Sequence, residues 1–166
     1  MRTLRKRRQS NKTDYKRRLR LLKSHGPRIV FRKTNRYITA QYVKSHEAKD
    51  IVEESVSSKL LLNYGWPKKS EGSLKSIPAS YLLGLLIGKI VLEKKKEQPI
   101  CDTGMIRKTD KNKIFAFLNG LKDSGVKVEC DEKLFPEEDR IKGKNLKEDL
   151  SKIVEEVKKN IQNGKK

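Results

Sequence analysis

Eleven consecutive residues, Pro78 to Gly88, carry no charge in a chain that is 37% charged. Pro78 suits the first turn of a helix, and the apolar character continues, with Lys89 as its first interruption, to about Lys95. A helix that is apolar on nearly all sides must be buried, so the remainder of the chain has to fold around this segment. Gly84 and Gly88 lie four residues apart on one face and allow a sheet or second helix to approach closely. The purely apolar part, Tyr81 to Ile87, is far short of the ~20 residues a bilayer span requires, so no membrane role is expected.

Two segments rich in β-branched and aromatic residues, Arg28 to Lys33 and Arg36 to Lys44, flank Thr34-Asn35 and predict a β-hairpin with a tight turn. A third strand is expected over Lys49 to Ser57, at an edge because of Glu53-Glu54. A helical turn follows at Ser58 to Tyr64, and a flexible basic loop at Lys68 to Lys75. Beyond the central helix the pattern predicts a short strand at Pro99 to Asp102 and a loop from Asp102 to Asn112. Ile114, Phe117, Leu118 and Leu121 mark a core-facing helix closed by Gly125, with a last brief strand at Val126 to Val128. Asp131 to Asp139 reads as acidic loop. A stripe from Leu146 to Ile161 predicts a C-terminal helix docked on its own domain, with Asn145 and Glu148 capping its first turn. The expected class is α/β, a mixed β-sheet with helices packed over it. Its parts are a basic arm with a short helix over 1–26, the α/β domain over 27–144, and a C-terminal helix and tail over 145–166.

Charge is the other constraint. Of the net +20, the first forty-four residues supply sixteen basic side chains against one acidic, Asp14, and ten of the twelve arginines lie between Arg2 and Arg36. Guanidinium groups grip phosphate oxygens with paired donors and stack on bases, so the expected partner is a polyanion. Met1 to Lys12 has no periodicity and is expected to order on its partner; Arg2, Arg5, Lys6, Arg7, Arg8 and Lys12 are its candidate contacts. Tyr15, Leu19 and Leu22 predict a short amphipathic helix over Thr13 to Lys23, capped by Thr13 and ended by Gly26-Pro27. At the hairpin tip Arg32, Lys33, Asn35, Arg36 and Tyr37 combine cations, an amide and an aromatic ring, which suits phosphate, sugar and an unstacked base. Arg107, Lys108 and Lys111, in the loop between Asp102 and Asn112, form a second concentration of cations, of which Arg107 and Lys108 are candidate contacts.

No catalytic constellation emerges. Two-metal hydrolysis needs converging carboxylates, and neither hairpin strand offers one. Asp102 reads as a turn residue, no phosphate-binding glycine loop is present, and neither His25 nor His46 has a nucleophile nearby. Cys101 and Cys130 lack metal-ligand spacing and read as small buried thiols, so neither metal nor cofactor is expected.

Seven stretches in order resemble the archaeal and eukaryotic form of large-subunit ribosomal protein eighteen. They are Thr13 to Leu22, Pro27 to Ile38, Leu62 to Trp66, Ile77 to Gly88, Asp102-Thr103-Gly104, Phe115 to Gly125 and Phe135 to Gly143. The resemblance implies a ribonuclease-H-like fold used without catalysis, a cytoplasmic location in the large ribosomal subunit, and binding of 5S rRNA. It also implies a place in the central protuberance, joining 5S rRNA to the large rRNA beside neighbouring proteins that include large-subunit protein five. By that similarity Tyr15, Arg17, Arg18 and Arg20 of the arm helix join the hairpin residues as RNA contacts. Ile77 stands where the family has a small or polar cap before Pro78, which implies a poorly capped central helix. Two other readings of the residues are an RNA-processing hydrolase and a general nucleic-acid packaging protein.

Overall fold

The computed structural model describes residues 3–10, 12–47, 49–146 and 150–164. In chain order the elements are α1 (Lys6–Gln9), α2 (Tyr15–Lys23), β1 (Arg28–Lys33), β2 (Ile38–His46), β3 (Lys49–Ser57), α3 (Ile77–Glu93), β4 (Ile100–Asp102), α4 (Lys113–Asp123), α5 (Glu138–Lys142) and α6 (Ser151–Asn163). The sheet runs β3-β2-β1-β4, antiparallel across the first three strands and parallel between β1 and β4. This is the mixed sheet with packed helices that the pattern predicts.

Strand alternation sets which face is buried. On β1, Ile29 and Phe31 pair in register with Tyr42 and Ala40 of β2, and all four are buried in the core beside α3 and α4. Phe31 meets Phe117 of α4 with ring centroids 4.9 Å apart, tilted by 46°. Arg28 and Arg32 alternate with these residues and therefore belong to the opposite face, to which α2 is fastened.

The uncharged segment is the core helix, buried continuously from Pro78 to Gly88. Its glycines do what their spacing suggests. A Cβ on Gly84 would lie 2.2 Å from the carbonyl oxygen of Phe117, and one on Gly120 would lie 2.1 Å from that of Tyr81. A Cβ on Gly88 would lie 1.9 Å from Ser124 Oγ. Gly84 and Gly120 mark the closest approach of the two backbones; the helix starts Ile77 and Lys113 lie together on one cavity and Gly88 meets Ser124 near the other end, so α3 and α4 run in the same direction. Such spacing brings Cα–H groups onto carbonyl oxygens.

Helix α6 closes the domain with Val154, Val157 and Ile161 buried. Lys89 Nζ donates to the carbonyls of Ile161 and Gln162 at 2.7 and 2.8 Å, a cation placed on the negative C-terminal end of α6. The Tyr81 hydroxyl donates to Asp123 Oδ2 at 2.6 Å and accepts from Lys158 Nζ at 2.8 Å, tying α3, α4 and α6 together. Burial first, then the bond and charge of Asp123, push its ionisation well above the usual tyrosine range. At the sheet edge, Lys96 pairs with Glu53 at 2.8 Å and Glu54 at 3.0 Å, which accounts for the two acids on β3.

Several local expectations change. Asp14, not Thr13, caps α2, accepting from the amides of Lys16 and Arg17 at 3.1 and 3.3 Å. Ser76 caps α3 through the Ala79 amide at 3.4 Å, and Ile77 lies inside the helix, so the predicted poor start is absent. Val126 to Val128 forms no strand: it runs as irregular backbone, and among the described residues β4 pairs only with β1. The loop expected at Lys68 to Lys75 contains 3-10 turns over Lys68–Ser73, and α5 forms where acidic loop gives way to Arg140. Helix α6 begins at Ser151 without a side-chain cap, later than Asn145; Glu148 lies outside the described residues. Both cysteines are free thiols, and burial, chiefly, pushes Cys101 up to about 12.

Candidate nucleic-acid interface

The basic arm is held against the sheet, and its own arginines hold it. The turn of α1 folds back on α2, with the Arg5 guanidinium 4.8 Å from the Tyr15 ring centroid. Arg7 Nε donates to Thr13 Oγ1 at 3.1 Å. Arg8 reaches both Asp14 Oδ2 at 3.5 Å and the Met105 sulfur at 3.4 Å. From α2, Arg17 donates to the Gly104 carbonyl at 3.0 Å and Arg18 to Asp50 Oδ2 at 2.8 Å. Of the sequence-predicted contacts, Arg5, Arg7, Arg8, Tyr15, Arg17 and Arg18 thus have structural partners that the linear pattern did not reveal.

Those partners converge on a buried hub. Arg28, only 1% exposed, donates to Asp50 Oδ1 at 2.7 Å and Ser45 Oγ at 2.8 Å. Its other terminal nitrogen lies 3.7 Å from Asp102 Oδ2. Asp102 Oδ1 accepts from the Gly104 amide at 2.8 Å, which makes the expected turn, while Oδ2 faces Arg32 at 3.5 Å. Two carboxylates from opposite edges of the sheet therefore organise four arginines: 18, 28, 32 and, through Gly104, 17. Arg28 was not singled out from sequence, because one arginine in a basic run carries no mark of burial. Its single-residue spacing from Ile29 is the only available signal.

Asp50 shows the sign of the coupling. Burial raises its pKa, but hydrogen bonds from Ser45 and Arg18 and the charges of Arg28 and Arg18 outweigh that and hold it below the ordinary carboxylate range. A depressed folded pKa contributes stability above the unfolded value and loses it as pH falls through the folded one. Stability should therefore decline on acidification below about pH 4, and Asp50→Asn should flatten that decline in urea melts taken across the range.

The hairpin tip is a four-residue loop, Thr34 to Tyr37, not the expected two-residue turn. The Thr34 amide and hydroxyl both donate to the Tyr37 carbonyl, at 2.9 and 2.8 Å. Lys33, Asn35 and Arg36 project from it exposed. Tyr37 is half-buried, with Lys59 Nζ 5.1 Å from its ring centroid. Lys6, Lys12, Arg20, Arg107 and Lys108 are likewise exposed, and among the described residues none of their side chains has an ion-pair partner. Arg2 lies outside the described residues. Between arm and sheet, a crevice of about 90 Å³ is lined by Arg7, Lys12, Arg17, Arg18 and Arg32. Five cations around one small crevice, with only Asp14 and Asp102 as acids, can accept a phosphate. No described helix is long and apolar enough to cross a membrane.

Comparison with known proteins agrees with this charge distribution. The family described as ribosomal large subunit proteins 60S L5 and 50S L18 matches residues 1–100. A curated relative, large ribosomal subunit protein uL18 of Korarchaeum cryptofilum (strain OPF8), is 38% identical over 151 residues, covering 91% of this chain and 75% of the relative. A match of this extent carries the arm, the hairpin and the core helix together. The chain thus belongs to the uL18 family of large-subunit ribosomal proteins, structural components of the large ribosomal subunit, cytoplasmic in archaea, whose partners are rRNA and other ribosomal proteins.

Proposed function

We infer that this protein binds 5S rRNA and fastens it to the large rRNA in the central protuberance, beside large-subunit protein five. The observation that carries the reading is the grouping of cations around the arm, the hairpin tip and the Asp102 loop. Arg7, Arg17 and Arg18 of the arm line one crevice with Arg32, and Lys33, Asn35, Arg36, Arg107 and Lys108 stay exposed. A deep A-form major groove cannot be read by side chains, so recognition falls to phosphates, 2′-hydroxyls and unstacked bases. The α/β domain over 27–144 is read as a ribonuclease-H-like fold without catalysis, the segment 1–26 as its RNA-binding arm, and 145–166 as its closing helix and tail. An antiparallel β1-β2-β3 followed by a parallel β4, with α3 and α4 over one face and α2 fastened to the other, supports that fold.

The test is binding to 5S rRNA, to tRNA and to random duplex RNA across a salt series. Selective binding of 5S rRNA by about a hundredfold or more, persisting as salt rises, is the expected result. Equal affinities that fall together would replace this reading with general packaging, and Mg²⁺-dependent cleavage would replace it with a hydrolase. Within the same assay, Arg36→Ala should weaken 5S rRNA by about tenfold and the duplex far less. Lys12→Ala should weaken both alike, by about threefold, as a phosphate contact does.

A further inference from the structure

A second positive site lies away from the arm, at the end of the domain where α3 and α4 both begin. A cavity of about 570 Å³ there falls within the ~300–1,000 Å³ common for small-ligand sites. Ile77, Pro78, Leu146 and Leu150 contribute its apolar floor, and Lys69, Lys75, Lys113 and Arg140 its rim. None of the side chains described around it is a carboxylate. None of the four cations has an ion-pair partner among the described residues. Lys75 on the rim and Lys33 at the end of β1 both act electrostatically on Lys113. Burial first, then those two neighbouring charges, hold the Lys113 ammonium below the usual lysine range. Among the described residues Lys75 and Lys113 thus share the cavity with no carboxylate in its lining, and their like charges repel until an anion enters.

We propose that this cavity takes one unpaired nucleotide of single-stranded RNA, with phosphates on Lys75, Lys113 and Arg140 and the base on Ile77, Pro78 and Leu146. The site is additional to the arm and hairpin and rests on the chain being an RNA binder. A nucleotide satisfies both halves of the cavity, since its phosphate meets the rim while its flat face covers apolar carbon. An acidic peptide would neutralise the rim and leave the floor uncovered. A duplex keeps its bases stacked and cannot fill a concavity. The parallel start of α3 and α4 adds two positive helix ends to the same wall.

The experiment follows the methyl resonances of Ile77, Leu146 and Leu150 in the full chain during titration with hexauridylate, a short RNA duplex or deca-glutamate. Hexauridylate should shift these methyls saturably, and the other two probes should not. Lys75→Ala/Lys113→Ala should weaken that response about tenfold while the response around Arg36 stays within twofold. Unmoved methyls with hexauridylate would overturn the site. Equal shifts with deca-glutamate would make it an acidic-peptide site, and equal shifts with duplex would remove the unpaired nucleotide. The wild-type titration stands even if the double variant fails to fold. Responding methyls without 5S rRNA selectivity would overturn the proposed function and keep this site, whereas selectivity with silent methyls would do the reverse.

Discussion

Gly84→Ala lowers the free energy of unfolding by about 3 kcal/mol or more, one of the two largest effects expected of any single change in this protein. The added methyl would sit 2.2 Å from the Phe117 carbonyl oxygen and 3.1 Å from the Leu121 amide nitrogen. Both are backbone atoms, so no rotamer change relieves the clash and the two core helices must separate. Separation also opens the reciprocal contact at Gly120, where a Cβ would meet Tyr81 O at 2.1 Å. With a urea dependence of about 1–3 kcal/mol/M, the unfolding midpoint should fall by 1 M or more. Gly72→Ala is the control: nothing lies within 4 Å of a Cβ there, and its effect should stay within about 0.5 kcal/mol. A midpoint for Gly84→Ala matching that control would show that α3 and α4 do not pack at backbone distance.

Arg28→Ala is expected to cost about 3–5 kcal/mol, the range for removing one partner of a buried ion pair. The substitution leaves Asp102, 7% exposed, with only Arg32 at 3.5 Å and the Gly104 amide. Asp50 keeps Arg18 and Ser45 and is less affected. The loss should appear in two measurements. Urea unfolding reports the stability, and amide hydrogen exchange at Gly104 and Met105 reports loosening of the loop to which Arg17 and Arg8 attach. Because Asp102 is the carboxylate left with the weaker charge partner, Arg28→Ala/Asp102→Asn should recover part of the loss. A single variant as stable as wild type would mean that Asp102 and Asp50 are satisfied without Arg28.

Much of the architecture is legible without coordinates, for physical reasons tied to particular residues. A run without charge from Pro78 to Gly88 has no solvent-facing side, so its burial follows from composition alone. The alternation in Arg28 to Lys33 and the stripe from Leu146 to Ile161 each have one period and one apolar face. Capping was less legible because it depends on the direction of a single short side chain. Thr13 and Asp14 are adjacent and both competent, and the backbone angles of Asp14 decide between them. The strand expected at Val126 to Val128 has the right residues, but pairing needs a partner in register, and among the described residues three-residue β4 is bound only to β1.

The candidate interface divides in the same way. An arginine-dense arm next to a hairpin with a cationic tip is a local property, and it points to a polyanion before any fold is known. Which of those arginines are free is not local. Arg36 and Arg20 stand exposed, while Arg17, Arg18 and Arg28 are committed to Gly104, Asp50 and Asp102, residues 87, 32 and 74 positions away in the chain. The sequence by itself determined the charge, the family and the buried helix, because each depends on residue type and short spacing. Only the tertiary structure decided which cations remain for RNA and that Lys33 and Lys75 bear on Lys113, because ion pairing and self-repulsion depend on distances that folding alone creates.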